Sequence, residues 1–454
     1  MTSDPLYPST MRMIRFAVPA MLAGVTVPLM GMVDVAVLGR LGDPALIAAV
    51  GVATTMFTVI AWSFSFLRFT TTGLVAQASG RNDHEEALVQ GLRPLVAAIA
   101  GGLAIFALQT PLVNLGLALI SPAPDVAALA REYFSIRIVG LPFTLSLYAL
   151  LAWVMGSGSP RTVLMAQLFM NGLNAMLTVW FVLGLGLGVS GAAWASVVAE
   201  VCATVLVVTI MLRRVPLAAW VAQFPRVFDA AAWRYLFSAN SDLVIRTVLL
   251  SLSLALLNER GARLGTLTLA SNQVLIQFYL LVATVVDGVS MATEVYVGRA
   301  VGADNAGALR HVVGRGARMA LFWGLFIAAV NAAVPGVYLP LMTTSPELIA
   351  EARRFWPWQV VLPLAGVWAF LWDGVYFGST RTRVLRNSMI VSAALYAVAV
   401  FGLVHLFGNH GLWLALVLQL CLRAGTLTLG WKGLVRDVER RGSLAPVTKA
   451  SVSS

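Results

Sequence analysis

Between Arg161 and Glu200 the chain runs for 38 residues without one Asp, Glu, Lys or Arg. Uncharged stretches of similar length cover 94–124 and 387–422. Each is longer than the ~20 apolar residues a helix needs to cross a bilayer. The whole chain follows suit: of 454 residues, 59% are hydrophobic and 11% charged, where soluble domains are about a quarter charged. The apolar stretches are smooth, without the ~10-residue alternation of outer-membrane strands. The spans are therefore helices, because lipid leaves each backbone group to find its partner within its own segment.

The pattern predicts twelve spans. Six lie near 12–38, 44–77, 88–120, 125–155, 162–186 and 189–212, and six near 235–258, 265–298, 312–340, 346–378, 387–407 and 411–431. The first is too long for a signal-peptide core and ends without an A-x-A-like site, so it reads as a retained span. With the N-terminus inside, 21 of the 31 Lys and Arg residues fall at cytoplasmic segments and span ends. Six, namely Arg40, Arg131, Arg260, Arg263, Arg353 and Arg354, fall outside. That asymmetry is the positive-inside rule, and it puts both termini in the cytoplasm. The net charge of +11 thus reports topology and calls for no nucleic-acid partner. Cys202 and Cys421, the only cysteines, lie inside apolar segments, which argues against a disulfide framework or a thiolate metal site.

The two halves resemble each other at a shift of about 220 residues. LVAQASGRND at 74–83 is answered by YVGRAVGADN at 296–305, and GSGSPR at 156–161 by GSTRTR at 378–383. Gly140-Leu141-Pro142 is answered by Val361-Leu362-Pro363, and GVSGAAWA at 188–195 by GNHGLWLA at 408–415. Six spans per half give both repeats the same orientation, the parallel-repeat arrangement of certain secondary transporters. The expected organisation is an N-terminal lobe over 1–212, a basic cytoplasmic linker over 213–234, a C-terminal lobe over 235–435 and a disordered cytoplasmic tail over 436–454.

A charge at the bilayer centre costs about 2.5–3.5 kcal/mol, so charged groups within spans are paired, face water, or work. Asp34 stands near the end of the first span after Pro19, Pro28 and Gly31, residues that bend a helix and free its carbonyls. It reads as a coupling-ion carboxylate, or else as the buried partner of an arginine such as Arg68 or Arg137. On the fifth span Asn171, Asn174 and Thr178 fall at i, i+3 and i+7, on one helical face, and Ser196 on the sixth span can join them. Such small polar residues also simply glue membrane helices together. In the second half Asp287 and Glu294 are i, i+7, with Asn272 and Gln277 earlier on the same span and Asp373 on a later one. These read as residues of a second-lobe cavity, or, for Asp287 and Asp373, as members of internal pairs. Asp242 and Arg246, at i, i+4, read as a structural pair, while Glu200 and Arg423 receive no role.

An enzyme in the membrane would need a nucleophile with a base, or clustered metal ligands. His84, His311, His405 and His410 are scattered, and there is no HExxH, GxSxG or P-loop, so neither catalysis, a cofactor nor direct use of ATP is expected.

Several stretches are similar to one family. P-x8-P-L-x-x-x-V-D at 19–34, VAQASGRND, and NGLNAMLTVWFVLGLGLGVSGAAWAS at 171–196 resemble, in order, parts of the multidrug and toxic compound extrusion (MATE) transporters. So do VVDGVSMATEVYVGRAVGA and WDGVYFGSTRTRVLRNSM, and the likeness is to the DinF (DNA-damage-inducible F) branch. The resemblance implies an all-α membrane protein of twelve helices in two six-helix lobes, exchanging protons or sodium for small organic cations or other amphiphiles by alternating access. It implies a monomer among the lipids of the inner membrane. The family's first-span aspartate falls on Asp34, its hinge proline on Pro19, its fifth-span asparagine on Asn174 and a sixth-span hydroxyl on Ser196. Its second-lobe acids fall on Asp287 and Asp373. Branch members commonly have an aspartate where this chain has Thr178. One carboxylate fewer disfavours sodium at the first-lobe site and favours a proton. Lipid and lipid-linked sugar flippases share the broad fold and are the alternative. They call for an arginine-lined cavity, and the candidates here, Arg68, Arg137 and Arg246, are few.

Overall fold

The structure, a computed structural model, describes residues 6–444, apart from the side chains of 27–32. Among the described residues it is helical throughout, with no strand. In chain order the helices are α1 (Thr10–Gly39), α2 (Pro44–Trp62), α3 (Phe66–Gly80), α4 (His84–Ala107), α5 (Gln109–Ile120) and α6 (Pro124–Val139). Next come α7 (Leu141–Gly156), α8 (Pro160–Thr178), α9 (Gly188–Arg214), α10 (Leu217–Gln223), α11 (Ala230–Arg263) and α12 (Thr266–Gly302). The chain closes with α13 (Ala306–Ala333), α14 (Pro335–Met342), α15 (Pro346–Phe355), α16 (Pro357–Gly378), α17 (Thr382–Phe407), α18 (Asn409–Leu429) and α19 (Trp431–Leu444).

By length and composition ten stretches qualify as membrane spans, the bent pair α6 and α7 makes an eleventh, and α1, 30 residues long, makes the twelfth expected. The predicted spans near 44–77 and 162–186 are each broken internally. Ser63–Ser65 separate α2 from α3, and α8 passes into a wide π-type turn over Val179–Gly184. Between α6 and α7 the chain bends by 50° at Gly140.

The chain forms two compact units. One holds residues 22–78 and 83–240, the other 1–21, 79–82 and 241–454, so the division runs through α1, two residues past Pro19. In the first unit α4 packs on α7, α2 on α6, and α8 and α6 on α9. In the second, α12 packs on α16 and α13, and α17 on α18, around a core that includes Trp356, Tyr396 and Trp413.

The repeat is visible at the level of single backbone conformations. Asn82 takes φ 56°, and the next residue, Asp83, caps α4 by accepting from the Glu86 amide at 2.9 Å. At the equivalent turn Asp304 takes φ 49°, and Asn305 caps α13 by accepting from the Ala308 amide at 2.8 Å. Asn and Asp tolerate the left-handed conformation and supply the capping oxygen, so the motif end R-N-D or A-D-N encodes the turn. The GSGSPR and GSTRTR matches also fold alike, with left-handed residues at Gly158 and Thr380. Just before each, a glycine permits close helix approach. A Cβ on Gly156 would stand 2.6 Å from the Thr72 carbonyl oxygen, and one on Gly378 would collide with that of Glu294.

The linker and the first part of the expected tail are both held in place. In the linker, Arg93 donates from Nε to the Val227 carbonyl at 3.0 Å and from Nη2 to that of Arg226 at 3.0 Å. Arg226 in turn pairs with Glu86 at 2.8 Å, fastening the linker to α4. Residues 436–444, expected in a disordered tail, form the end of α19. That helix buries Leu434, Val435 and Val438, and Arg381 pairs with Asp437. The remaining tail, 445–454, lies outside the described residues.

Candidate ion-coupling site

Asp34 is 5% exposed. Its carboxylate accepts a hydrogen bond from the Thr178 hydroxyl at 2.9 Å, between α1 and the last residue of α8. The π-type turn follows Thr178 at once, with the Leu185 amide reaching back to the Trp180 carbonyl at 2.9 Å. Turns of this type frequently mark functional sites in otherwise regular helices. One turn earlier Asn174, fully buried, donates to the Ser196 hydroxyl of α9 at 3.0 Å, while its own carbonyl oxygen is buried with no hydrogen-bond partner. The side chain of Asn171 has neither nitrogen nor oxygen bonded. The i, i+3, i+7 face thus meets Asp34 and Ser196 through its last two members, with Asn171 set apart.

A cavity of about 250 Å³ opens beside Asp34 and is lined by Thr54, Phe57, Tyr133, Arg137 and Ser196 among others. Arg137 lines this cavity yet does not pair with Asp34. Its fork binds both oxygens of Glu200, at 2.9 and 3.1 Å, and its guanidinium lies over the Phe57 ring at 4.3 Å. The Thr144 hydroxyl also donates to Glu200, at 2.7 Å. The bend at Gly140 makes this possible by setting the last turn of α6 and the first turn of α7 against α9. A Cβ on Gly140 would stand 3.1 Å from the Glu200 carboxylate. The sequence offered Arg68 or Arg137 as a partner for Asp34, and it gave no sign of Glu200, 63 residues from Arg137.

In the second unit the predicted cavity residues scatter. Asp373 is 2% exposed and is gripped by Arg246 at 2.8 Å and by Arg423, both on the same oxygen. Its other oxygen is buried without a hydrogen bond. Asp287 acts electrostatically on Arg423. Asp242 does not pair with Arg246. It accepts from Arg386 at 2.7 Å and from Thr382 at 2.8 Å, because those groups on α17 face it across the helix pair while Arg246 is committed to Asp373. Asn272 exchanges hydrogen bonds with Asn409 at 2.7 and 2.9 Å and accepts from the Trp413 indole at 3.0 Å, so it is a core clamp. Gln277 is exposed and Glu294 buried. No group of three or more His, Cys, Asp or Glu side chains that could hold a metal ion occurs among the described residues.

A repeated helical membrane fold with a buried carboxylate beside a cavity defines a secondary-transporter architecture. The MatE family model matches residues 19–180 and again 243–402, and the chain belongs to that family, the multidrug and toxic compound extrusion transporters. The DNA damage-inducible protein F of Escherichia coli (strain K12) is 35% identical over 419 residues, 92% of this chain and 91% of that one, which supports the DinF branch. Protein DETOXIFICATION 44, chloroplastic, of Arabidopsis thaliana is 26% identical and covers 93% of this chain and 84% of its own. A solved structure of MATE in the bent conformation superposes with a TM-score of 0.87 over 97% of this chain and 98% of that one, at 19% identity, which speaks to the fold. The chain is accordingly a membrane transport protein and not an enzyme.

Proposed function

We propose that the chain exports small organic cations and related amphiphiles across the inner membrane in exchange for protons, with Asp34 as the coupling carboxylate. The carrying observation is the contrast at one cavity. Asp34 is buried with a single neutral donor from Thr178, while the nearby guanidinium of Arg137 is spent on Glu200. A carboxylate held by one hydroxyl keeps the freedom to gain and lose a cation that a salt-bridged one lacks. With Thr178 in place of a second acid, the site offers sodium a single charged ligand, and a proton needs no more. Pro19, close to where α1 passes from one unit to the other, is the proposed hinge by which the charge on Asp34 biases alternating access. A flippase for a pyrophosphate-linked lipid would want uncommitted arginines, and Arg137, Arg246 and Arg423 each hold a carboxylate.

The test uses everted vesicles carrying the protein, energised and then given ethidium or another organic cation while a pH-sensitive dye reports the lumen. Substrate-evoked proton release that is independent of sodium and lost in Asp34→Asn is expected. An undiminished response from Asp34→Asn would overturn the assignment, and a response that requires sodium would replace the proton.

A further inference from the structure

A guanidinium and a carboxylate that line one small cavity ought to find each other, since charge-assisted bidentate pairing is the strongest local contact open to both. Arg137 and Asp34 line one cavity and stay apart. What separates them is a set of contacts on the far side of the arginine. Glu200 takes both arms of the fork, the Thr144 hydroxyl holds the Glu200 carboxylate in place, and Phe57 lies flat against the guanidinium. Gly140 leaves the room that the carboxylate occupies, where a side chain of any size would press on it. Four elements thus converge on a pair that touches neither Asp34 nor its hydroxyl donor.

We propose that Glu200 is a positioning residue that withholds Arg137 from Asp34, and that this restraint keeps Asp34 exchangeable. The inference rests on the reading of Asp34 as the coupling carboxylate. With Glu200 in place, the arginine is already one half of an ion pair, and Asp34 supplies the net charge of the three groups. Without it, the same arginine becomes the counter-ion of Asp34 and holds it as a fixed ion pair. The charged and titratable groups in reach are Arg137 and Tyr133 on α6, Glu200 on α9, Tyr148 on α7 and Arg68 on α3. Thr54, Thr178, Asn174 and Ser196 complete the surroundings from α2, α8 and α9 with neutral groups.

The experiment compares wild type, Glu200→Gln, Glu200→Asp, the double variant Arg137→Gln/Glu200→Gln and Asp34→Asn in everted vesicles. Cation-evoked proton release is followed as a function of pH, with folding checked by size-exclusion and melting of the purified proteins. In Glu200→Gln an opposite charge set free beside Asp34 moves the midpoint of the transport curve about 1–3 pH units towards acid. Glu200→Asp keeps the charge and shifts the curve less. The double variant removes both charges together and returns the midpoint to that of wild type. A folded Glu200→Gln with an unmoved midpoint overturns the proposal. So does a double variant that stays as far displaced as the single one, and, where Glu200→Gln fails to fold, a folded double variant whose midpoint departs from that of wild type. If Asp34→Asn itself transports as wild type does, the coupling assignment fails first, and this inference falls with it.

Discussion

Each of the two units buries a membrane aspartate near an arginine, and they treat it in opposite ways. In the first, one guanidinium stands among two carboxylates, and the arginine is given to Glu200. Asp34 is left with the hydroxyl of Thr178. In the second, Arg246 and Arg423 close on one oxygen of Asp373, and Asp287 adds a second acid near Arg423. The repeated fold supplies the same helical frame to both, down to matched left-handed turns at Asn82 and Asp304. What differs is which carboxylate the arginines are allowed to reach. Burial of a charge therefore does not mark function by itself. The informative sign is a buried charge whose natural counter-ion is engaged elsewhere.

Neutralising each aspartate in turn puts the largest load on that difference. Asp373→Asn leaves the buried guanidinium of Arg423 and the partly buried one of Arg246 facing a neutral amide, and removing one partner of a buried pair costs about 3–5 kcal/mol. A large fall in melting temperature, or failure to accumulate in the membrane, is expected. Asp34→Asn retains an oxygen to accept from Thr178 and should melt close to wild type while losing substrate-evoked proton release. A stable Asp373→Asn protein, or an Asp34→Asn protein that unfolds, would erase the distinction between the two units.

A buried asparagine from each unit extends the contrast at lower cost. Asn272 satisfies Asn409 and the Trp413 indole together, so Asn272→Ala strands polar groups in the core at about 1–3 kcal/mol each. Asn174 gives one hydrogen bond to Ser196 and leaves its carbonyl unused, so Asn174→Ala forfeits only about 0.5–1.5 kcal/mol of stability. Thermal melting of the two variants side by side checks the order. If Asn174→Ala proves the more damaging, its role is structural and the polar face of α8 is helix glue.

How far the sequence discloses this depends on the range of each interaction. Spans are legible because a bilayer demands uncharged runs, and the repeat because Gly80–Asp83 and Gly302–Asn305 spell the same cap and turn. The face carrying Asn174 and Thr178 follows from helical spacing, and the aspartate it serves was conspicuous as a lone acid in an apolar run. Pairings between helices are another matter. Spacing at i, i+4 suggested Asp242 with Arg246, but such a pair contributes only about 0.3–0.5 kcal/mol. The cross-helix partners Arg386 and Asp373 outcompete it where water is scarce. Glu200 and Asn409 carried no local signal of the residues they hold, 63 and 137 positions away. Gln277 sat on the same span yet faces outward, since five residues along a helix carry it round to the side away from the buried Asn272. The helix over 431–444 was hidden by its charge, which sits on the face opposite Leu434, Val435 and Val438.

The finest test concerns the single hydrogen bond that Asp34 does have. Thr178→Val keeps the shape of the side chain and removes the hydroxyl, so the carboxylate loses its hydroxyl donor while the shape that α8 presents to α1 is preserved. Donation to a carboxylate favours its charged form. Without the donor the charged form is the one destabilised, by about 1.5–3 kcal/mol. The transport curve should then move towards alkaline pH by about one to two units, opposite in sign to the shift expected on freeing Arg137. Thr178→Ser, which restores the donor, should bring it back. If Thr178→Val moved the curve to acid, or left it still while Thr178→Ser moved it, the hydroxyl would be acting on helix geometry at the π-type turn and not on the proton held by Asp34.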